Sequence, residues 1–293
     1  MVKETNKIAD SGIYLILAFS ALLCLAPILY AVALSFSDKA AANAGLVYFW
    51  PVDFTLSSYK EVLGDRFFFI SFGVSVQRVV LGGIINFLVT VLMAYPLSKS
   101  ARLFPGRNAY MWYMVFTMLF SGGLIPWYMT ISSLKMLDSI WALVLPTAVP
   151  VFSVILLMNF FRGIPKELDE AANMDGAGPW QTLFHIYLPT SVPSMATITL
   201  FSIVGHWNSF FDGMILMNHK ENWPLQTYIQ QLVLSLSSIM NTTDPEEIKR
   251  LSAISNRTLS AAKVVLSMLP ILCIYPFLQR YFVSGIVLGA VKE

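Results

Sequence analysis

Charge is scarce in this chain. Only 12% of its 293 residues are Asp, Glu, Lys or Arg, whereas soluble domains carry about 25%. Hydrophobic residues make up 56%, and the mean hydropathy is +0.66. A soluble protein of this length needs a charged surface, which 19 basic and 17 acidic residues supply only thinly. The formal net charge of +2 is too small to hold nucleic acid, so lipid is the expected environment and no nucleic-acid partner is expected. Cysteine and histidine are also rare, at two and three. No metal-ligand cluster arises from the three histidines. Cys24 and Cys273 both sit in apolar runs, which marks them as packing residues rather than a disulfide pair. A phosphate-cradling GxxxxGK[ST] segment is missing, so any ATP that drives the protein must be bound elsewhere.

What the chain has in abundance is long apolar runs. A hydrocarbon core about 30 Å thick takes roughly 20 helical residues to cross. Six stretches qualify or nearly do, at about 12–36, 70–97, 109–131, 139–161, 194–217 and 260–279. Backbone groups in lipid must be bonded internally, so runs that contain Gly and Pro are still read as helices. The first run, ILAFSALLCLAPILYAVALSF, is longer than a signal-peptide core and is read as a span.

Basic residues near span ends prefer the cytoplasm. The loop SKSARLFPGRN after the second run holds Lys99, Arg102 and Arg107 with no acid, which places it inside. Both termini and segment 162–193 then lie inside, while 37–69, 132–138 and 218–259 face outward. Lys220, Lys249, Arg250 and Arg257 in the last outer segment run against the bias, so the orientation rests mainly on one loop.

Segment 162–193, RGIPKELDEAANMDGAGPWQTLFHIYLPTSVP, is the most polar inner stretch. Proline suits the first helical position, and Glu167, Asp169 and Glu170 favour the positive end of a helix. Gly176 supplies a stop after Asp175. The spacing predicts a short helix over about 165–175 with Leu168, Ala171 and Ala172 on one side. Adjacent alanines permit close approach by another surface, and the flanking acids can pair with basic groups.

Within this segment, EAANMDGAGPWQTLFHIYLP (170–189) resembles the EAA loop of ABC importer permeases, with Glu-Ala-Ala, Gly, Ile and Pro at fixed distances. The matching positions are Glu170, Ala171, Ala172, Asp175, Gly176, Ala177, Ile186 and Pro189. The resemblance covers essentially the whole chain and extends to the MalG-like, carbohydrate-uptake branch. It includes AYPLSKS at 94–100, IPKELDEAA at 164–172, HWNSFFD at 206–212 and QRYFVSGIVLGAVKE at 279–293. It implies an all-α type I ABC importer permease fold: one transmembrane domain over 1–293, with about six spans, a cytoplasmic coupling helix in the EAA loop 162–193, and an external loop 218–259. It also implies residence in a bacterial cytoplasmic (inner) membrane with both termini inside.

The implied partners are a second homologous permease subunit, two ATP-binding cassette subunits that carry ATP and Mg, and an external solute-binding protein. No cofactor is implied on this chain, and no catalysis by it. By the same resemblance, Glu170 is the principal polar contact to an ATPase subunit. Ala171 and Ala172 form the close-packing surface, Gly176 forms the turn, Asp175 belongs to the same ATPase-coupling set, and the final GAVKE runs along the ATPase pair. A secondary transporter would instead carry its coupling-ion chemistry within its own spans. An importer of a peptide or anion, and a non-transporting scaffold or receptor, are the remaining alternatives.

Polar groups at membrane depth are candidates for a pathway because they are costly unless paired or facing a cavity. They are Gln77, Arg78 and Asn86 in the second run and His206, Trp207 and Asn208 in the fifth. Trp207 could stack on a sugar face while Asn208 hydrogen-bonds to it, or both could simply anchor and cross-link helices. The Arg78 guanidinium fits the carboxylate of an acidic sugar, and fits a protein acid on the partner subunit equally well. FTMLFSGGLIPWYMTISSL resembles the subgroup that handles larger oligosaccharides, including uronate polymers such as alginate fragments. Segment 223–258 resembles the outer loop that meets the binding protein, with a cap lying along the membrane face as the alternative. Asn241-Thr242-Thr243 is a sequon, which says little in a bacterial sequence.

Overall fold

A computed structural model describes residues 7–241 and 257–290, with side chains over 11–234 and 257–277. The charged stretch at 242–256, residues 1–6 and the last three residues lie outside it, as do the side chains of the tail motif from 279 onward. Among the described residues every regular element is helical and no strand occurs. The helices are α1 (Lys7–Ser35), α2 (Lys39–Asn43), α3 (Ser57–Gly64), α4 (Arg66–Ser98), α5 (Arg107–Leu119), α6 (Leu124–Ser133) and α7 (Ile140–Thr147). They continue with α8 (Val151–Arg162), α9 (Lys166–Met174), α10 (Pro179–Thr190), α11 (Val192–Asn208), α12 (Phe211–Leu216), α13 (Leu225–Asn241) and α14 (Arg257–Ala290).

Among the described residues, three helices are long and apolar enough to cross a membrane unbroken: Ser11–Ser35, Arg66–Ser98 and Arg257–Phe277. They coincide with the first, second and sixth expected runs. The other three runs are broken, which corrects the expectation that Gly and Pro would be absorbed into continuous helices. Residues 109–131 divide into α5 and α6 at an angle of 112°, and the fourth run divides into α7 and α8 at 44°. In the fifth region α10 and α11 meet at 83°, and α11 ends at Asn208, short of the expected 217. If each bent pair counts as one span, the total is up to six.

The breaks have local causes. Gly123 has φ +88 and ψ 172, a conformation essentially closed to other residues, so the chain leaves helix after α5 and restarts at Leu124. Pro150 disfavours helical backbone at Val149, and the fourth run opens there.

The chain divides into two compact units, Met1–Phe68 with Ile229–Leu269, and Phe69–Tyr228 with Pro270–Glu293. In the first, Ala33, Ala41, Ala42 and Val47 make a small core. Asp65 caps α4, accepting the backbone N–H groups of Phe67 and Phe68 at 3.0 and 3.3 Å, and it also takes a hydrogen bond from buried Lys263. Lys263 lies inside the sixth expected run, and Asp65 neutralises its charge there. Most of the apolar face of α1 is exposed, including Leu15, Phe19 and Leu22. Cys24 and Cys273 are free and exposed, so neither packs into this chain's own core as expected.

The second unit holds a larger core. Val91, Ala94 and Leu97 of α4 meet Val154, Leu157 and Phe161 of α8, Leu183 and Tyr187 of α10, and Ile198 of α11. A separate cluster joins Ile131, Ala142, Leu143, Leu216 and Met217. Helices α4 and α11 also bury the polar residues Arg78, Asn86 and His206.

Candidate functional site

The segment 162–193 is largely helical. Pro165 precedes α9 rather than opening it, and Glu167 and Asp169 lie in its first turn, where the helix dipole favours negative charge. The helix ends as the glycine predicts. Gly176 has φ +74, its N–H donates to Asn173 O (3.1 Å), and the N–H of Ala177 donates to Ala172 O (2.9 Å). Those two bonds form a Schellman motif, which satisfies the final carbonyls and turns the chain sharply. Glu170, Ala171, Asp175 and Gly176 are exposed. Ala172 is 7% exposed and turned into its own chain, so of the two expected packing alanines only Ala171 faces outward. Its exposed neighbour Met174 was missed in the sequence, although its spacing three residues from Ala171 places it on the same face.

Asp169 points the other way. Its carboxylate accepts hydrogen bonds from Lys99 Nζ (2.9 and 2.7 Å) and from Tyr187 Oη (2.8 Å). Neither Asp169 nor Tyr187 stood out as a site residue in the sequence, because their partners are 70 and 18 residues away.

The polar residues of α4 and α11 form a second group. Arg78 is 1% exposed, and both terminal nitrogens of its guanidinium engage Asp212, Nη1 at 3.1 Å from Oδ1. Nη1 also donates to Ser209 O (3.3 Å). Asp212 is held in turn by Ser209 Oγ (2.8 Å) and by the N–H of Gly213 (2.9 Å). The guanidinium therefore has a carboxylate partner in its own chain. Asp212 closes the HWNSFFD motif, and the signal that could have found it is an acid inside the fifth expected run (194–217), where an unpaired charge is costly and an arginine in another run is a natural partner.

Asn86 is 6% exposed and sits one turn from Gly82. Its amide is oriented so that the nitrogen donates to the carbonyls of Gly82 (3.3 Å) and Thr147 (3.1 Å). Its oxygen accepts from Ser202 Oγ (3.0 Å) and His206 Nε2 (3.2 Å). Gly82 is what admits the histidine, since a Cβ there would stand 2.3 Å from His206 Nε2. Gly82→Ala should therefore destabilise the protein by about 1–3 kcal/mol, because the His206 ring must move and give up its hydrogen bond with Asn86. A fall in the thermal midpoint of the detergent-solubilised protein measures this, and an unchanged midpoint would rule out the close contact.

Trp207 is 4% exposed and packs edge-on against Phe72 (5.6 Å between centroids), whereas Asn208 is exposed. In this structure Trp207 is a packing residue and its ring face is not free to stack on a sugar. Gln77 is also exposed.

Two cavities adjoin these groups. One, about 510 Å³, is lined by Arg78, Asn86, Ser153, Ser202 and His206. The other, about 700 Å³, is lined by the 121–123 break, Trp127, Thr130 and Asp212. Pro146, Thr147 and Ser209 line both, so Arg78 and Asp212 stand where the two meet.

On the loops beyond these cavities, Asp138 has φ +60 and ties two segments together. It accepts from the N–H groups of Asn218 (3.1 Å) and His219 (3.2 Å) and pairs with the His219 ring. Burial alone would raise its pKa, but the bonds from His219 and Asn222 hold it below the usual carboxylate value. The hydrogen bond to Asp138 raises that of His219. The pairing contributes fully below the ordinary histidine pKa of about 6.5 and is lost as pH rises through the elevated value; on the acid side it disappears as pH falls through the lowered Asp138 value. The His219 ring should titrate above 6.5 by NMR of labelled protein. Asp138→Asn should bring it back towards 6.5, and an unmoved midpoint would show that the pair does not form.

The family described as "Binding-protein-dependent transport system inner membrane component" matches residues 68–288. The chain is 37% identical to the polygalacturonan/rhamnogalacturonan transport system permease protein YtcP of Bacillus subtilis, over 98% of this chain and 99% of that one. It is 39% identical to Protein LplC of the same organism, over 91% of this chain and 88% of the relative. A chain from the crystal structure of a bacterial ABC transporter involved in the import of the acidic polysaccharide alginate superposes with a TM-score of 0.83. That match is 32% identical and covers 96% of this chain and 99% of that chain. The matched length, the helical architecture and the EAA-like loop agree, and the chain belongs to the family of inner-membrane components of binding-protein-dependent transport systems.

Proposed function

We propose that this chain is the permease subunit of an ATP-driven importer that passes acidic oligosaccharides, of the size and charge of uronate fragments, from an external binding protein into the cytoplasm. The observation that carries the reading is α9: a short helix with exposed Glu170, Ala171 and Met174, ended by a left-handed glycine within the EAA-like segment. A helix of that kind suits a cleft on an ATPase subunit. The substrate class is supported by the similarity to the polygalacturonan/rhamnogalacturonan permease and to the alginate importer. In this reading the three continuous helices and three bent pairs make six spans of a type I permease, with Glu170, Ala171, Asp175 and Gly176 at the ATPase contact. Both termini are cytoplasmic. A second permease subunit completes the membrane part, and two ATPase subunits bind ATP and Mg. The cavities beside Asn86 and the 121–123 break belong to the sugar path.

The test is initial uptake by vesicles containing the complete importer and its binding protein. Oligogalacturonides, alginate oligosaccharides and neutral chains of equal length would be compared with and without ATP. ATP-dependent uptake confined to peptides or inorganic anions would overturn the substrate class, and ATP hydrolysis without any uptake would favour the scaffold alternative. Orientation can be checked separately in a background lacking Cys24 and Cys273. Glu221→Cys should react with a membrane-impermeant thiol reagent in intact cells, and Asn173→Cys should be protected until the membrane is opened. The reverse pattern would invert the topology.

A further inference from the structure

The short helix α9 has nine residues, too few to hold a helical shape or a position unaided. Among the described residues, Asp169 is the one side chain of α9 that makes hydrogen bonds or an ion pair with the rest of the protein. Its partners come from two other elements. Lys99 lies directly after the C-terminus of α4, and Tyr187 lies in α10, 5% exposed and part of the larger core. Lys99 Nζ reaches both carboxylate oxygens of Asp169 and the Tyr187 hydroxyl (2.8 Å), while that hydroxyl donates to Asp169 Oδ2 (2.8 Å). The ammonium also lies over the Tyr187 and Tyr95 rings, 4.1 and 4.6 Å from their centroids. All three donors of the lysine and both oxygens of the aspartate are therefore engaged in one closed node.

The node is braced on every side. Tyr187 meets Tyr95 and Phe161 edge-on, with centroids 5.1 and 5.2 Å apart. Lys99 O accepts from Arg107 Nη1 (3.1 Å), which ties in the start of α5. Asp169 and Lys99 are only partly exposed, so the charge-assisted bonds are shielded from water more than a surface pair would be. On the next residue, Glu170 faces outward. One face of α9 is thus free for a partner while the other is fastened to the ends of two membrane helices.

We propose that Asp169 is the positioning residue that converts movement of α9 into movement of the membrane-spanning helices, with Lys99 and Tyr187 as its anchors on α4 and α10. The inference rests on the reading of α9 as the ATPase contact and adds the path by which its displacement leaves the helix. If the node is cut, α9 can still dock and ATP can still be hydrolysed, but the stroke is dissipated in the flanking turns.

The readout is sugar taken up per ATP hydrolysed by the complete importer in vesicles, at matched complex levels and with substrate-loaded binding protein. Asp169→Asn and Lys99→Met should each lower that ratio about fivefold or more, the scale of a modest coupling free energy, with hydrolysis itself retained. Tyr187→Phe should lower it less, because the ion pair remains. Lys99→Arg, which keeps the charge and can engage both oxygens, should stay near the wild-type ratio. An unchanged ratio in both Asp169→Asn and Lys99→Met would overturn the inference. So would loss of the ATPase subunits from the solubilised complex in those variants, since that would make Asp169 a docking residue rather than a transmitter. Glu170→Ala and Met174→Asp test the docking reading itself. If they leave hydrolysis, uptake and assembly untouched, that reading fails whatever Asp169 does.

Discussion

Replacing Arg78 by Gln should cut uptake of charged and neutral oligosaccharides by the same factor and reduce the amount of folded complex. The substitution leaves Asp212 beside the cavity with its charge no longer matched, and breaking a buried pair by removing one partner costs about 3–5 kcal/mol. Asp212→Asn should do comparable damage by stranding a guanidinium that is 1% exposed. Arg78→Lys should be intermediate, since it keeps the charge but loses the fork that engages both oxygens of Asp212. Removing both charges, as Arg78→Met with Asp212→Leu, should recover much of the lost stability, because neither member is then left alone. The measurements are complex yield, thermal midpoint and initial uptake. A normal complex level together with selective loss of uronate uptake would instead give Arg78 the substrate-carboxylate role that its residue type also allows.

Gly176→Pro should nearly abolish transport while membrane insertion continues. Gly176 holds φ +74, and proline is confined near −65°, so the left-handed turn cannot form. The same change deletes the N–H that bonds Asn173 O, and together these cost about 3 kcal/mol or more at the turn. Gly176→Ala, which strains the turn but keeps the N–H, should cost about 1–2 kcal/mol and give partial activity. Glu170→Ala should lie nearer the alanine variant, since it removes a contact without changing the chain direction. Uptake per unit of inserted protein distinguishes them, and wild-type uptake by Gly176→Pro would dismiss the assignment of this segment.

Much of this was legible in the chain itself. Apolar runs of span length located the three continuous helices to within a few residues at most ends, because length and hydropathy are local quantities. The short helix and its glycine stop were equally readable: Pro165, the acids after it and Gly176 act through their own backbone positions. Broken spans were less accessible. A Gly-Gly pair or an isolated proline can be carried inside a membrane helix or can end it, and hydropathy reads the same in both cases; the positive φ of Gly123 and the non-helical backbone before Pro150 are visible only in the folded chain.

Side-chain roles divide along the same line. Sequence placed Arg78 and Asn86 within an apolar run of span length and Glu170 and Gly176 in a polar segment between two such runs, since those are statements about position along the chain. Only the tertiary structure decided that Arg78 is neutralised by Asp212, that Trp207 is spent in packing against Phe72, that Ala172 turns inward, and that Asp169 meets Lys99 and Tyr187. The reason is physical. A buried charge or hydrogen bond is stabilised by the group opposite it, and that group is chosen by how helices far apart in the chain pack together.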